Sequence, residues 1–527
     1  MTVNQLAFFV LFFLSVIIYY CVPRKCQWMA LLGLSLLFYH LMGVDNFIYV
    51  IVTAVTITCG TRMMYRVDCR LDGEIRNADV KLTRSEKKEK KQRAKSEKKR
   101  WLAGIIVINL GILLALKYGD FFVHNANRLL GLFGMDGVNK LGLIAPLGLS
   151  YYTLQSIGYA LDVYKGKSIP EKNPFKVLLF VTYFPQMTQG PIGRYQSLAP
   201  QLYEGHSFSY KNLSYGCQRI LWGMVKKAVI ADNLRPMAVG IFDKWTSVSG
   251  FTLFMACIYT TFQIYADFSG YSDIVCGVSE IYGIRMEENF QRPFFSCSLS
   301  EYWRRWHISL SSWFRDYIFY PASISRGAVS FGKLGSRILP PRIAKMFPAV
   351  FALSIVWICT GLWHDASWRY IMWGVANGVI IIFAIILKPQ FDAVRNKLHI
   401  REEVWWWKGF CMIRTFVIVA LLKVFPGAGS TMNSLRIYKK IVFEFQPSLS
   451  YEALFLNTES FHLIYAAVAL VLFFLVSIMQ TKGCVRDFLA SKPVVVRWTV
   501  YLLLLCMIIF MGAFGSTTVG GFEYAQF

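Results

Sequence analysis

SEYWRRWHISLSSWFRDYIFYP, residues Ser300–Pro321, holds three tryptophans, three arginines and a histidine, and no apolar run long enough to cross a bilayer. Placed on one helix over Tyr302–Ile318, Trp303, His307, Leu310 and Phe314 share a face at the i, i+4, i+7, i+11 spacing. Arg304, Ser311 and Arg315 line the neighbouring edge, Arg305, Ser312 and Asp316 the far side, and Trp306 and Trp313 an aromatic strip. A helix lying on a surface shows one greasy and one charged face. Here a histidine sits on the greasy face with cations at its border, which predicts a re-entrant or interfacial helix that dips inward and lines a site.

The rest of the chain sets the context for that stretch. Of 527 residues, 55% are hydrophobic, 16% aromatic and 17% charged, against about 25% charged in soluble domains. Apolar runs recur at 5–22, 28–44, 47–61 and 101–116, and again at 347–362, 370–387, 409–425, 462–479 and 494–514. Some are short for the roughly 20 residues a crossing needs. With segments between Leu141 and Ile284, the expectation is an all-α polytopic membrane protein of about ten to twelve transmembrane or re-entrant helices. The first run lacks a basic flank and a small-residue end, so it reads as a retained helix rather than a removable signal.

The net charge of +25 does not imply nucleic acid as a partner. Residues 62–100 alone carry fifteen Lys and Arg against seven acids, which reads as a basic cytoplasmic loop under the positive-inside rule. A charged, partly helical, mobile hairpin is expected there, with attraction to anionic membrane lipid a secondary possibility. Twelve scattered cysteines show no CxxC and no metal-ligand spacing, so neither a disulfide framework nor a metal site is expected. No repeat or linker divides the chain, and residues 1–527 read as one membrane domain.

Residues 140–375 differ from the plain spans on either side. YADFSGYSD (Tyr265–Asp273) puts two aspartates in an apolar stretch, and FPQMTQGPIGRYQ (Phe184–Gln196) puts Pro and Gly where a helix would break. Charge and irregular backbone at membrane depth are tolerated where they face protein or a wet cavity. Either segment alone fits an interfacial loop equally well; together with Ser300–Pro321 they favour an internal polar chamber. His307 and His364, the latter in TGLWHDASW (Thr360–Trp368), are two of only seven histidines. A neutral imidazole is poised near pH 7 to take a proton from a hydroxyl, although a lone histidine beside tryptophan is more often a packed one. Phosphate-loop, HExxH and GxSxG motifs are absent.

The 300–321 stretch resembles the signature of the membrane-bound O-acyltransferase family, on its AlgI-like alginate and polysaccharide O-acetyltransferase branch, with DltB-like D-alanyl transfer proteins a neighbouring branch. The likeness continues through APLGLSYYTLQSIGYALDVYKGK from Ala145, FPQMTQGPIGRYQSLAPQL, GMVKKAVIADNL, YADFSGYSDIVCG, MEENFQRPFF and GLWHDASWRYIMWG.

The resemblance implies helices around a central tunnel in a bacterial plasma membrane, with 140–375 as the catalytic core region. It implies an acyl thioester donor such as acetyl-CoA, no bound cofactor, and an extracytoplasmic polysaccharide acceptor or an SGNH-hydrolase-like partner transferase. His364 falls on the family's invariant histidine, as general base, and His307 on the second, which positions or polarises a reacting group. Trp303, Arg304, Arg305, Ser311, Arg315, Asp316, Asp267 and Trp363 are the implied substrate-binding residues, Asp267 being equally suited to a structural ion pair. Two departures stand out: Asp365 replaces the usual glycine after His364, and the C-terminus reads FEYAQF with Ala525 in an aromatic position. The alternatives are D-alanyl transfer to teichoic acid and, with broken helices forming a mid-membrane site, transport.

Overall fold

The computed structural model describes residues 6–41, 47–77, 83–338, 340–447 and 459–513; the FEYAQF terminus lies outside them. These residues are helical, with no strand among them and one isolated antiparallel bridge, Phe290–Trp306. Seven helices are long and apolar enough to cross a membrane: Ile48–Arg76, Arg84–Leu132, Phe347–His364, Trp368–Ile386, Trp405–Gly427, Ser460–Met479 and Val494–Met511. The apolar runs near the start form shorter helices, Leu6–Cys21 and Gln27–Leu41. The protein is an all-α, multi-pass membrane protein.

The chain divides into two compact units, Met1–Leu213 with Val278–Met286, and Ser214–Gly277 with Glu287–Phe527. In the first, the basic stretch is mostly helix. Ile48–Arg76 and Arg84–Leu132 run through most of it as helix, because Lys, Arg, Glu and Ala favour helix and Thr83 with Glu86 forms a capping box. At 1.5 Å per residue the 49-residue second helix is about 74 Å long, more than twice a hydrocarbon core of about 30 Å. Lys98–Asp68 at 2.6 Å, Arg70–Glu97 at 2.5 Å and Lys90–Glu74 at 3.0 Å hold the charged ends together.

The segment Phe184–Gly193 is non-helical and wholly buried in this unit. Its Gln186 amide is held from within: Nε2 donates to Gln155 Oε1 at 3.1 Å and to the Phe180 carbonyl at 3.0 Å. Phe184 stacks on Phe38 with ring centres 4.4 Å apart. Irregular backbone is here buried in protein, one of the two settings that membrane depth permits.

In the second unit, Tyr210–Met224 packs against Gly250–Ile281 through glycines seven residues apart, Gly216 and Gly223 against Gly277 and Gly270. A Cβ at Gly270 would lie 2.8 Å from the Gly223 carbonyl oxygen. Small residues let helices approach closely where lipid offers no hydrophobic drive. Gly270→Val is expected to lower stability by about 1–3 kcal/mol as the helices separate, read as a fall in melting temperature in detergent; an unchanged melt would contradict it.

That close approach explains the buried aspartates. A widened π-helical turn, Val225–Ala231, follows the first helix, with the Asp232 N–H donating to the Lys227 carbonyl. Lys227 Nζ thereby reaches both Asp232 and Asp267 at 2.8 Å, with all three side chains at most 4% exposed. Asp273 pairs with Lys226 and, at 3.0 Å, with Arg219. Each aspartate of YADFSGYSD is thus neutralised by a cation from the neighbouring segment.

Candidate active site

The 300–321 stretch is not one helix. It starts as expected, with Ser298 Oγ accepting the Glu301 N–H at 3.2 Å to cap Leu299–Arg305. Trp306 then becomes extended and His307 adopts φ 45°, before Ile308–Phe314 resumes as helix and Arg315–Phe319 widens into a π turn. The backbone of Asn289–Gln291 captures the break: Gln291 N–H donates to the Arg305 carbonyl and Ile308 N–H to the Asn289 carbonyl, both at 3.0 Å. A left-handed conformation at a non-glycine residue carries a cost of roughly 1–2 kcal/mol, met by these hydrogen bonds. The face shared by Trp303, His307, Leu310 and Phe314 in a continuous helix therefore does not exist, although His307 does turn inward and is 2% exposed.

Trp363 connects the two histidines. Its ring centre is 5.6 Å from that of His307 and 5.0 Å from that of His364. His307 also meets the edge of Phe268 at 4.7 Å. His364 ends the Phe347–His364 helix, against Trp373 at 5.0 Å and Tyr370 at 6.1 Å. The following helix, Trp368–Ile386, returns at once, and Gly374 approaches so closely that a Cβ there would lie 2.3 Å from the Trp357 carbonyl. The histidine is thus fixed by a tight hairpin.

His364 lines a cavity of about 540 Å³ with Asp267, Gln263, Arg369, Tyr370, Trp373 and Lys423. Asp267 pairs with Lys227 and also lines this cavity. The Asp365 carboxylate lies 3.8 Å from Arg369, itself on the cavity wall and donating to the Pro426 carbonyl at 3.1 Å. Lys423 is 7% exposed, its ammonium 5.5 Å from the Trp306 ring centre.

The other residues singled out from the sequence are placed differently. Trp303 donates its indole N–H to Asn377 Oδ1 at 3.1 Å and packs on Trp357 and Trp373. Arg305 pairs with Glu301 at 2.6 Å, and Ser311 Oγ donates to the Trp306 carbonyl at 3.3 Å. Arg315 and Asp316 pair with each other at 3.0 Å, and Arg304 is exposed. None of these six lines the His364 cavity. Lys227, Asp232, Arg369 and Lys423 carry charge into or beside the cavity and were not picked out by sequence. The adjacent lysines of GMVKKAVIAD were the available signal, since two cations in an apolar stretch require buried partners.

Burial pushes the His307 imidazole down, to about 3. An unfolded histidine titrates near 6.5, so below about pH 6.5 the unfolded chain takes up a proton that the folded chain excludes. His307 therefore lowers stability progressively as pH falls from about 6.5 toward about 3, by roughly 2 kcal/mol at about pH 5. Melting temperatures at about pH 7.5 and about pH 5 are expected to fall further in wild type than in His307→Gln. Equal falls would show that His307 protonates in the folded state.

Fold and site together define a multi-pass helical membrane protein with a histidine on the wall of an internal cavity. Residues 169–334 match the model of the membrane-bound O-acyltransferase family, MBOAT. The chain is 35% identical over 279 residues to the probable alginate O-acetylase AlgI of Azotobacter vinelandii, covering 53% of this chain and 52% of that protein. It is 30% identical over 371 residues to the peptidoglycan O-acetyltransferase of Helicobacter pylori, covering 66% and 65%. The teichoic acid D-alanyltransferase of Bacillus subtilis is 29% identical over 243 residues, covering 45% and 58%. The chain spans about half the length of the alginate O-acetylases it matches.

Proposed function

We propose that this protein is a membrane O-acyltransferase that passes an acetyl group from a cytoplasmic thioester, acetyl-CoA, through the membrane toward an extracytoplasmic polysaccharide. The observation that carries the reading is His364 on the cavity wall, joined to His307 through Trp363. In this reading His364 accepts the proton of the acceptor hydroxyl as its oxygen attacks the thioester carbonyl. The carbonyl oxygen becomes the developing oxyanion, and the thiolate departs. Lys423 and Arg369 supply positive charge on the same wall, where a fixed cation stabilises such an oxyanion. His307, neutral and fixed, orients the reacting group.

An SGNH-hydrolase-like transferase is the partner that receives the acyl group or completes its delivery, and the bacterial plasma membrane is the location. The names of the alginate and peptidoglycan O-acetyltransferase relatives support acetyl over D-alanyl transfer. The test uses membrane vesicles containing the full chain, supplied with radiolabelled acetyl-CoA, with and without the partner transferase. Label released or transferred above empty vesicles is expected. Turnover of a D-alanyl carrier thioester in place of acetyl-CoA would move the protein to the other branch, and turnover of neither would overturn the reading.

A further inference from the structure

A second cavity, of about 410 Å³, has no part in the proposed chemistry and is lined by two unlike sets of residues. In the polar set, four cations, Arg219, Lys226, Arg292 and Arg486, accompany two carboxylates, Asp273 and Glu288. Arg219 donates to Asp273 at 3.0 Å and to Glu288 at 2.8 Å, and Lys226 pairs with Asp273. Both carboxylates are thus engaged by Arg219 and Lys226. Arg292 has no ion pair among the described residues, and its backbone is held at φ 50°, the kind of strained position that clusters at binding sites.

Three further groups on the wall are unsatisfied: Gln218 Oε1, Ser272 Oγ and Asn289 Nδ2 have no hydrogen-bond partner among the described residues. Ser272 and Asn289, the two that can donate to an anion, are 3% and 1% exposed. Buried polar atoms are nearly always paired, so such orphans mark a missing ligand or water.

The apolar set is aliphatic and aromatic and includes Leu472, Phe473 and Val476 from Ser460–Met479, and Val500 and Leu504 from Val494–Met511. These two helices have the highest mean hydropathies of the seven spans, 2.5 and 2.4, and the least buried windows, 22% and 6%. The wall they form is therefore continuous with surfaces that lipid chains cover.

We infer that this cavity holds an anionic glycerophospholipid, its phosphate at Arg292, Ser272 and Asn289 and an acyl chain against Phe473, Val476 and Leu504. The excess positive charge selects an anionic headgroup, and the apolar wall selects a long chain. An acetyl thioester carries only a two-carbon apolar group and leaves that wall unfilled. Because this rests on the second cavity alone, it stands or falls apart from the acyltransferase reading.

The experiment titrates the purified full chain in mild detergent with phosphatidylglycerol or phosphatidylcholine and counts retained lipid by native mass spectrometry. One phosphatidylglycerol per chain is expected, preferred about fivefold over phosphatidylcholine, the factor that one basic residue contributes toward anionic lipid. Arg292→Gln is expected to erase the preference, and Leu504→Trp to abolish retention of both lipids, with Leu504→Ile retaining them. Melting curves check that each variant is folded, and Arg292→Gln carries the test if Leu504→Trp is not. Retention without headgroup preference, retention unchanged in both variants, or displacement of the lipid by acetyl-CoA would overturn the inference.

Discussion

Lys227→Met is expected to destabilise the protein by about 3–5 kcal/mol, the cost of leaving a buried charge without its partner. The ammonium is shared between Asp232 and Asp267 at 2.8 Å each, and all three side chains are withdrawn from solvent. Removing it leaves two carboxylates facing each other in an apolar setting. Burial already pushes the Asp232 carboxyl up, to about 6, so this residue is the first to neutralise when the lysine is gone. Against a total stability of 5–15 kcal/mol for typical domains, the loss is large, and a low yield of folded protein with a depressed melting temperature is expected. Adding Asp232→Asn to Lys227→Met should recover part of the loss, because only one carboxylate then lacks a cation. A melting temperature unaffected by Lys227→Met would show that the three charges are solvated in the membrane.

His364→Ala is expected to lower acetyl turnover by about 10²–10⁴-fold, the usual contribution of a positioned acid–base group, with little change in melting temperature. The contrast with Lys227 is structural: His364 closes a helix and faces a cavity, whereas Lys227 holds three elements of buried charge together. His364→Gln tests the chemistry more narrowly, since an amide keeps hydrogen-bonding groups and cannot act as a base; it should be nearly as impaired as His364→Ala. Turnover in either variant close to wild type would remove His364 from the proton-transfer role. Comparing acetyl-CoA consumption with delivery to the partner separates a failed chemical step from a failed handover.

Much of the fold was legible in the chain. Apolar runs marked the helices at 347–362, 462–479 and 494–514, and their counterparts lie within a few residues of those bounds. The two histidines were also legible, because a titratable side chain in an apolar setting is expensive and therefore conspicuous. The 62–100 stretch was expected to be a partly helical hairpin, and helix takes up most of it. Charge and helix are compatible when the residues are Lys, Glu and Arg, and the Thr83–Glu86 cap was the overlooked sign.

Periodicity failed at Ser300–Pro321 for a physical reason. A helical wheel assumes every N–H finds the carbonyl four residues back, but Asn289–Gln291 competes for the backbone at Trp306–Ile308. That competitor is distant enough in sequence to leave no periodic trace. The three arginines near His307 accordingly turn to Glu301, Asp316 and solvent rather than to the cavity, while Arg369 and Lys423 arrive from other helices.

The sequence by itself determined an all-helical membrane protein and its two inward histidines, because hydrophobic runs and isolated charges act locally and leave a local mark. Only the tertiary structure decided that His307 sits at a backbone break, that Trp363 links it to His364, and that Lys227 neutralises Asp232 and Asp267. Those facts depend on which segments meet, through close glycine contacts and buried ion pairs whose partners are up to 54 residues apart, and no single stretch encodes both sides of such a meeting.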